Sequence, residues 1–162
     1  MKRKILISAI LVSVIAISGI KAQNMGNVKS DKIEVTDKMQ PVNPKWFTGN
    51  GWLESMMSDT ETFGVSISNV VFEPGCRNHW HKHPGGQLLI VTEGTGYYQE
   101  RGKPVQILHK GDVIAIYPYV EHWHGATPEN WFAHMALGTN PDAGPAEWLE
   151  PVSDEEYYNL EK

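Results

Sequence analysis

The stretch GCRNHWHKHPGGQLLIVTEG, residues Gly75–Gly94, decides how this chain is read. It sets His79, His81 and His83 at alternate positions, then Gly85-Gly86, then Gln87 at the head of a β-rich apolar run. Residues i and i+2 of a strand share a face, so His81 and His83 can converge on one ion. His122 and His124, in EHWHG, repeat that spacing. Imidazole suits transition metals, and three imidazoles with one oxygen donor make a credible coordination shell. Gln87 stands where a carboxylate is the usual oxygen donor. Gly85-Gly86 can turn the chain so that Gln87 comes back towards the histidines.

The sequence around this stretch reads as strands. GVSISNVVFEPG alternates with period two, with Ser66, Ser68, Val70 and Phe72 on one face and Val65, Ile67 and Asn69 on the other. QLLIVTEG follows, then GYYQERGKPVQIL with a turn at Arg101-Gly102, then HKGDVIAIYP, EHWHGATPEN and WFAHMALGT. These make about seven or eight short strands with regular turns, which predicts an all-β sandwich or barrel. The 15 glycines and 10 prolines fit many turns. In the tail, VSDEEYYNLEK, Ser153 precedes Glu156 by three residues, a capping box that predicts one short C-terminal helix. Asp154 and Glu155 fall in its first turn, where the helix dipole favours them.

With 162 residues the chain suits one domain with a sizeable core. Basic MKRK, the apolar run Ile5 to Ile20 and a small Ala22 have the layout of a secretory signal peptide over residues 1–22. The run is short for a membrane span. The reading is therefore a signal peptide (1–22), a flexible polar arm (23–40) and a folded domain (41–162), secreted or periplasmic, with no membrane attachment after cleavage. Trp46, Phe47 and Trp52 are expected to hold the arm against the domain. Cleavage removes Lys2, Arg3, Lys4 and Lys21, moving the formal charge from −5 to −9. So acidic a chain argues against nucleic acid as a partner. The single cysteine, Cys76, excludes an intrachain disulfide and reads as a small packed residue.

The histidine stretch resembles the first cupin motif, with Gly75, His81, His83, Gln87 and Gly94 at the motif's spacings. The second cupin motif is matched by Gly111 and His122. Tyr117 stands where that motif expects Pro, and Tyr119 where it expects Gly; both lie in a turn. From about Trp46 to Tyr158 the likeness extends to small single-domain bacterial cupins. These include the cupin-type hydroxynitrile lyases, often labelled (R)-mandelonitrile lyases, and cupins associated with carboxymuconolactone-decarboxylase-like domains. The resemblance implies a double-stranded β-helix, the jelly-roll barrel, with the short C-terminal helix. It implies the metal ligands His81, His83, Gln87 and His122, and a divalent metal that is typically manganese, with iron, zinc or nickel as alternatives. It matches the lyases' two further active-site histidines to His124 and His134, and their pocket positions to Ser68 and Val70. A homodimer is also expected from the resemblance.

An amide in place of a carboxylate leaves a divalent site with one more net positive charge. Such a site binds anions more strongly and stabilises developing negative charge. It also favours the reduced, divalent ion. Either His124 or His134 can then serve as a base near the metal, since an unperturbed imidazole titrates near neutrality. His79 shares the parity of the ligands, and His109 lies in the HKGD turn. Trp80 and Trp123 alternate with the ligands and so face away from the metal, into packing. The reading is a metal-dependent lyase acting on a small carbonyl or hydroxy compound. An oxygenase and a non-catalytic binding module for a small ligand such as a sugar acid stay open beside it.

Overall fold

The computed structural model describes residues 31–59 and 61–160. The expected signal peptide, residues 1–22, lies outside the described residues, as do residues 23–30 of the arm. Among the described residues, the strands in chain order are β1 (Gln40–Pro41), β2 (Phe47–Thr48), β3 (Gly51–Asp59), β4 (Val65–Phe72), β5 (Arg77–Asn78) and β6 (His81–Lys82). They continue with β7 (Gln87–Glu100), β8 (Gln106–His109), β9 (Val113–Ile116), β10 (His122–Ala126), β11 (Phe132–Thr139) and β12 (Glu147–Trp148). One short helix, α1 (Asp154–Tyr158), follows.

All pairings are antiparallel. The first sheet runs β1-β3-β4-β11-β7-β9, and the second runs β2-β5-β10-β7-β8, with β6 between β10 and β12. Strand β7 belongs to both. Its first half pairs with β11 and β9, and its second half with β10 and β8. Gly94 sits where the strand changes sheets, at φ +76°, and a β-carbon there would collide with the Trp131 carbonyl. This closing glycine of the first motif is thus required by conformation and by space together. The result is the expected all-β jelly-roll barrel.

The period-two pattern sorts the strands as the sequence predicts. Val70 and Phe72 of β4 join Leu89, Val91, Leu108 and Phe132 in the core between the sheets. Cys76 is buried beside them, and burial pushes its thiol up to about 12, which leaves it an inert packed residue. Trp80 and Trp123 point the other way, into a second cluster with Tyr97, Val152 and Tyr157. Helix α1 supplies Tyr157, and the helix starts as expected, with Ser153 Oγ accepting from Glu156 N–H at 3.1 Å. Arg77 fastens the approach to this helix. It donates to the Val152 carbonyl and, at 2.6 Å, to Asp154 Oδ1, and its guanidinium lies over the Tyr157 ring.

Two details differ from the sequence reading. Residues 31–40, expected in a flexible arm, lie against the outside of the first sheet. There Ile33 and Met39 bury among Val71, Trp131 and Ala133, with Trp52 packed beside them. Ile33, Val35 and Met39 are three apolar residues in a polar segment too short to read as a strand, yet they cluster with Val71 of β4 and Ala133 of β11. Of the three aromatics expected to hold the arm, Trp52 does so. Trp46 stacks on Trp148 instead, and Phe47 packs against Phe72 at the barrel's open end.

The turn at Tyr117–Tyr119 keeps the backbone of the motif it departs from. Tyr119 sits at φ +62°, the left-handed region that the expected glycine occupies without strain. Its N–H donates to the His83 carbonyl at 3.0 Å, which ties the turn to the histidine stretch.

Candidate metal centre

Three neighbouring segments carry the histidines to one end of the barrel. His81 lies on β6, directly across from His122 on β10. His83 follows β6 and precedes the turn in which Gly86 N–H donates back to the His83 carbonyl. Gln87 is the first residue of β7. One ligand atom from each of His81, His83 and His122 lies within 4.8 Å of the other two. His81 and His122 are buried and His83 is half-buried.

The protein fixes how these rings present themselves. His81 Nδ1–H donates to the His79 carbonyl, and His122 Nδ1–H to the Val120 carbonyl, each at 2.9 Å. A carbonyl oxygen can only accept, so the proton sits on Nδ1 and Nε2 keeps its lone pair. Orientation of one ring nitrogen by a backbone carbonyl is the usual support of a metal-binding histidine. Nε2 of His83 and of His122 and Oε1 of Gln87 are buried and have no partner among the described residues. Burial pushes His83 and His122 down to about 4, and His81 well below its ordinary value, with neighbouring imidazoles adding to the effect for His81. The rings are therefore neutral at pH 7, the form that binds metal. Convergent lone pairs, neutral rings and an orphaned amide oxygen fit a divalent transition-metal ion.

Beside this cluster lies a cavity of about 510 Å³. His81, His83, Gln87, His124 and His134 all line it. Ser66, Ser68 and Val70, on the inward face of β4, form part of its wall, with Ser58 of β3 paired opposite Ser66. His124 and His134 face each other edge to face with centroids 4.7 Å apart. Burial drives His134 down to about 3 and His124 well below its usual value; the nearby His134 ring also opposes the His124 charge. Phe132 stacks on His134 and Phe72 meets it edge to face, and neither of its nitrogens has a partner among the described residues.

The cupin-domain family profile matches residues 68–130. An (R)-mandelonitrile lyase from Granulicella tundricola is 41% identical over 112 residues, which is 69% of this chain and 86% of the relative. The chain is a cupin. A solved cupin-like protein from Thermotoga maritima is 47% identical, with TM-score 0.75, covering 79% of this chain and 97% of its own. A cupin-2 domain structure from Rhodospirillum rubrum, 11% identical with TM-score 0.60 over 77% of this chain and 82% of that one, shares the fold.

Not every histidine of this cupin joins the site. His79, which shares the ligands' parity in sequence, instead lies against the edge of Trp46. The chain leaves strand conformation between β5 and β6, so the alternation breaks before His81. His109, expected in a turn, is the exposed last residue of β8. Two residues that spacing did not single out stand beside the site. Trp148 stacks on His81 with centroids 4.8 Å apart. Asn78 donates from Nδ2 to His124 Nε2 and accepts from His124 N–H, both at 2.9 Å. No local sequence signal marks Asn78, because it meets His124 only through the pairing of β5 with β10.

Proposed function

We propose that this cupin is an exported, divalent-metal-dependent lyase of the hydroxynitrile-lyase kind, acting on a small carbonyl or hydroxy compound. The observation that carries the reading is one cavity lined by His81 and His83 of the three-histidine cluster, by Gln87, and by two further buried, neutral histidines, His124 and His134. The similarity to an (R)-mandelonitrile lyase supports the reaction class. His81, His83, His122 and Gln87 would hold the ion, and the resemblance favours manganese over iron, zinc or nickel. A bound divalent ion would supply Lewis acidity towards a substrate oxygen.

The rest of the chemistry falls to the chain. The substrate hydroxyl gives its proton to an imidazole nitrogen of His134 or His124. The bond between the carbinol carbon and the nitrile carbon breaks, and the electron pair leaves with cyanide. The same imidazole then returns its proton to cyanide, giving an aldehyde and hydrogen cyanide. Neutral rings at pH 7 are ready to accept without first losing a proton. Phe72, Phe47 and Leu53 give the cavity an apolar side that orients a small organic group and excludes water, while Ser66 and Ser68 offer hydroxyls.

The apolar run near the N-terminus supports export to the periplasm or beyond. Among the described residues, no helix is long and apolar enough to cross a membrane. We take the working unit to be a homodimer, on the resemblance to small single-domain cupins. The test is a panel of hydroxynitriles offered to the manganese-loaded protein, with aldehyde release as the readout. Release that depends on added metal is expected. No release from any member of the panel overturns the reaction.

A further inference from the structure

We propose that Asn78 is a positioning residue that fixes the proton of His124 on Nδ1, making His124 a hydrogen-bond donor to the substrate and leaving His134 as the proton acceptor. The division of labour rests on the lyase reading above; the position of the proton does not.

The orientation of the Asn78 amide is settled by its neighbours. Asn78 Oδ1 accepts from the His124 backbone N–H at 2.9 Å. A backbone N–H only donates, so the atom facing it is the oxygen, and the other end of the amide is NH2. That NH2 faces His124 Nε2 at 2.9 Å. An amide NH2 only donates, so Nε2 must accept. The ring is therefore neutral, with its one proton on Nδ1. An imidazolium would set N–H against N–H.

This separates His124 from two histidines of the same tautomer. His81 and His122 also carry their proton on Nδ1, but it is spent on a backbone carbonyl and their Nε2 lone pairs remain free. In His124 the Nε2 lone pair is spent on Asn78, and Nδ1–H is the atom without a partner among the described residues. His124 therefore has no lone pair for a metal or for a substrate proton. It has a proton to offer, in a cavity wall. His134 is the opposite case. The rings of Phe72, His124 and Phe132 pack around it, and among the described residues neither of its nitrogens has a hydrogen-bond partner to fix its tautomer. Two histidines that look equivalent by sequence are made unequal by one amide.

The test is the imidazole 15N spectrum of the zinc-loaded, 15N-histidine protein, zinc being diamagnetic. Two-bond 1H–15N correlations report which ring nitrogen is protonated, and the His124 signals are those lost in His124→Gln. The expected result is a protonated Nδ1 and a bare Nε2. In Asn78→Asp, one carboxylate oxygen still accepts from the backbone N–H, while the other now accepts from the ring. The proton is then expected on Nε2. Turnover should fall by about a hundredfold or more in kcat with little change in KM. A wild-type His124 protonated on Nε2 overturns the proposal, and so does an unchanged tautomer in Asn78→Asp. Should that variant not fold, the wild-type spectrum decides alone. The expected tautomer in a protein that turns over no hydroxynitrile sustains the Asn78 assignment and removes the lyase reading.

Discussion

On the outer face of β10, Trp123 Nε1–H donates to Gln99 Oε1 at 2.9 Å, and the Tyr157 hydroxyl donates to the Ala126 carbonyl at 2.6 Å. Nearby, Arg77 donates to the Val152 carbonyl. On the inner face of the same strand, His122 Nε2 and His124 Nδ1 are buried with no partner among the described residues, as are the His83, Gln87 and His134 atoms beside them. Buried polar atoms are nearly always hydrogen-bonded, because an orphaned one forfeits its water without repayment. The outer face obeys that rule and holds the barrel to its helix. The inner face breaks it at one spot, where imidazole nitrogens and one amide oxygen gather. The exception marks where something other than protein is meant to bind.

The largest expected effect is on the inner face. His134→Gln should lower kcat by about 10²–10⁴-fold while metal content stays at the wild-type level. An equal loss of metal would mean that His134 supports the cluster and not the reaction. On the outer face the pattern should invert. Tyr157→Phe strands the Ala126 carbonyl and should cost about 1–3 kcal/mol in urea unfolding, with metal content unchanged. If it released the metal instead, the two faces would not be independent.

Acid should sharpen the contrast. Burial holds His134 at about 3 in the fold, against 6.5 for a free imidazole, so the unfolded chain binds its proton first. Its stabilising effect is complete above about pH 6.5 and is lost as the pH falls towards 3. His134→Leu should therefore flatten the stability of the metal-free protein across that window by about 1.4 kcal/mol per pH unit. A slope identical to wild type would contradict the buried, neutral ring. A smaller effect is expected at Gln87. Gln87→Glu should tighten divalent-metal binding on the order of tenfold, about 1.4 kcal/mol, and weaken azide or cyanide binding. Equal anion affinity in the two proteins would show that the amide does not set the charge of the site.

Much of this was legible because strand periodicity is rigid. Spacing alone places His81 with His83, sends Trp123 outward and puts Ser68 and Val70 on the inward face of β4. The capping residues of α1 were equally plain, since Ser153 and Glu156 act locally. What spacing misses is where strands break. His79 keeps the parity of the ligands on paper, yet the chain leaves the strand after Asn78 and the ring turns to Trp46. Ile33 and Met39 were hidden because docking on an outer sheet face needs no pattern. The amide of Asn78 and the Trp148 ring reach the site by pairing across strands, β5 with β10 and β12 with β6, which no local window contains.

The account depends most on the orphaned atoms of His83, Gln87 and His122 being ligand atoms. The direct measurement is metal content, by elemental analysis, of the protein loaded with manganese and dialysed, beside His122→Phe treated in the same way. The account predicts one divalent ion per chain in the first and none retained in the second. A wild-type protein that retains no divalent metal, or a variant that retains as much, would contradict it.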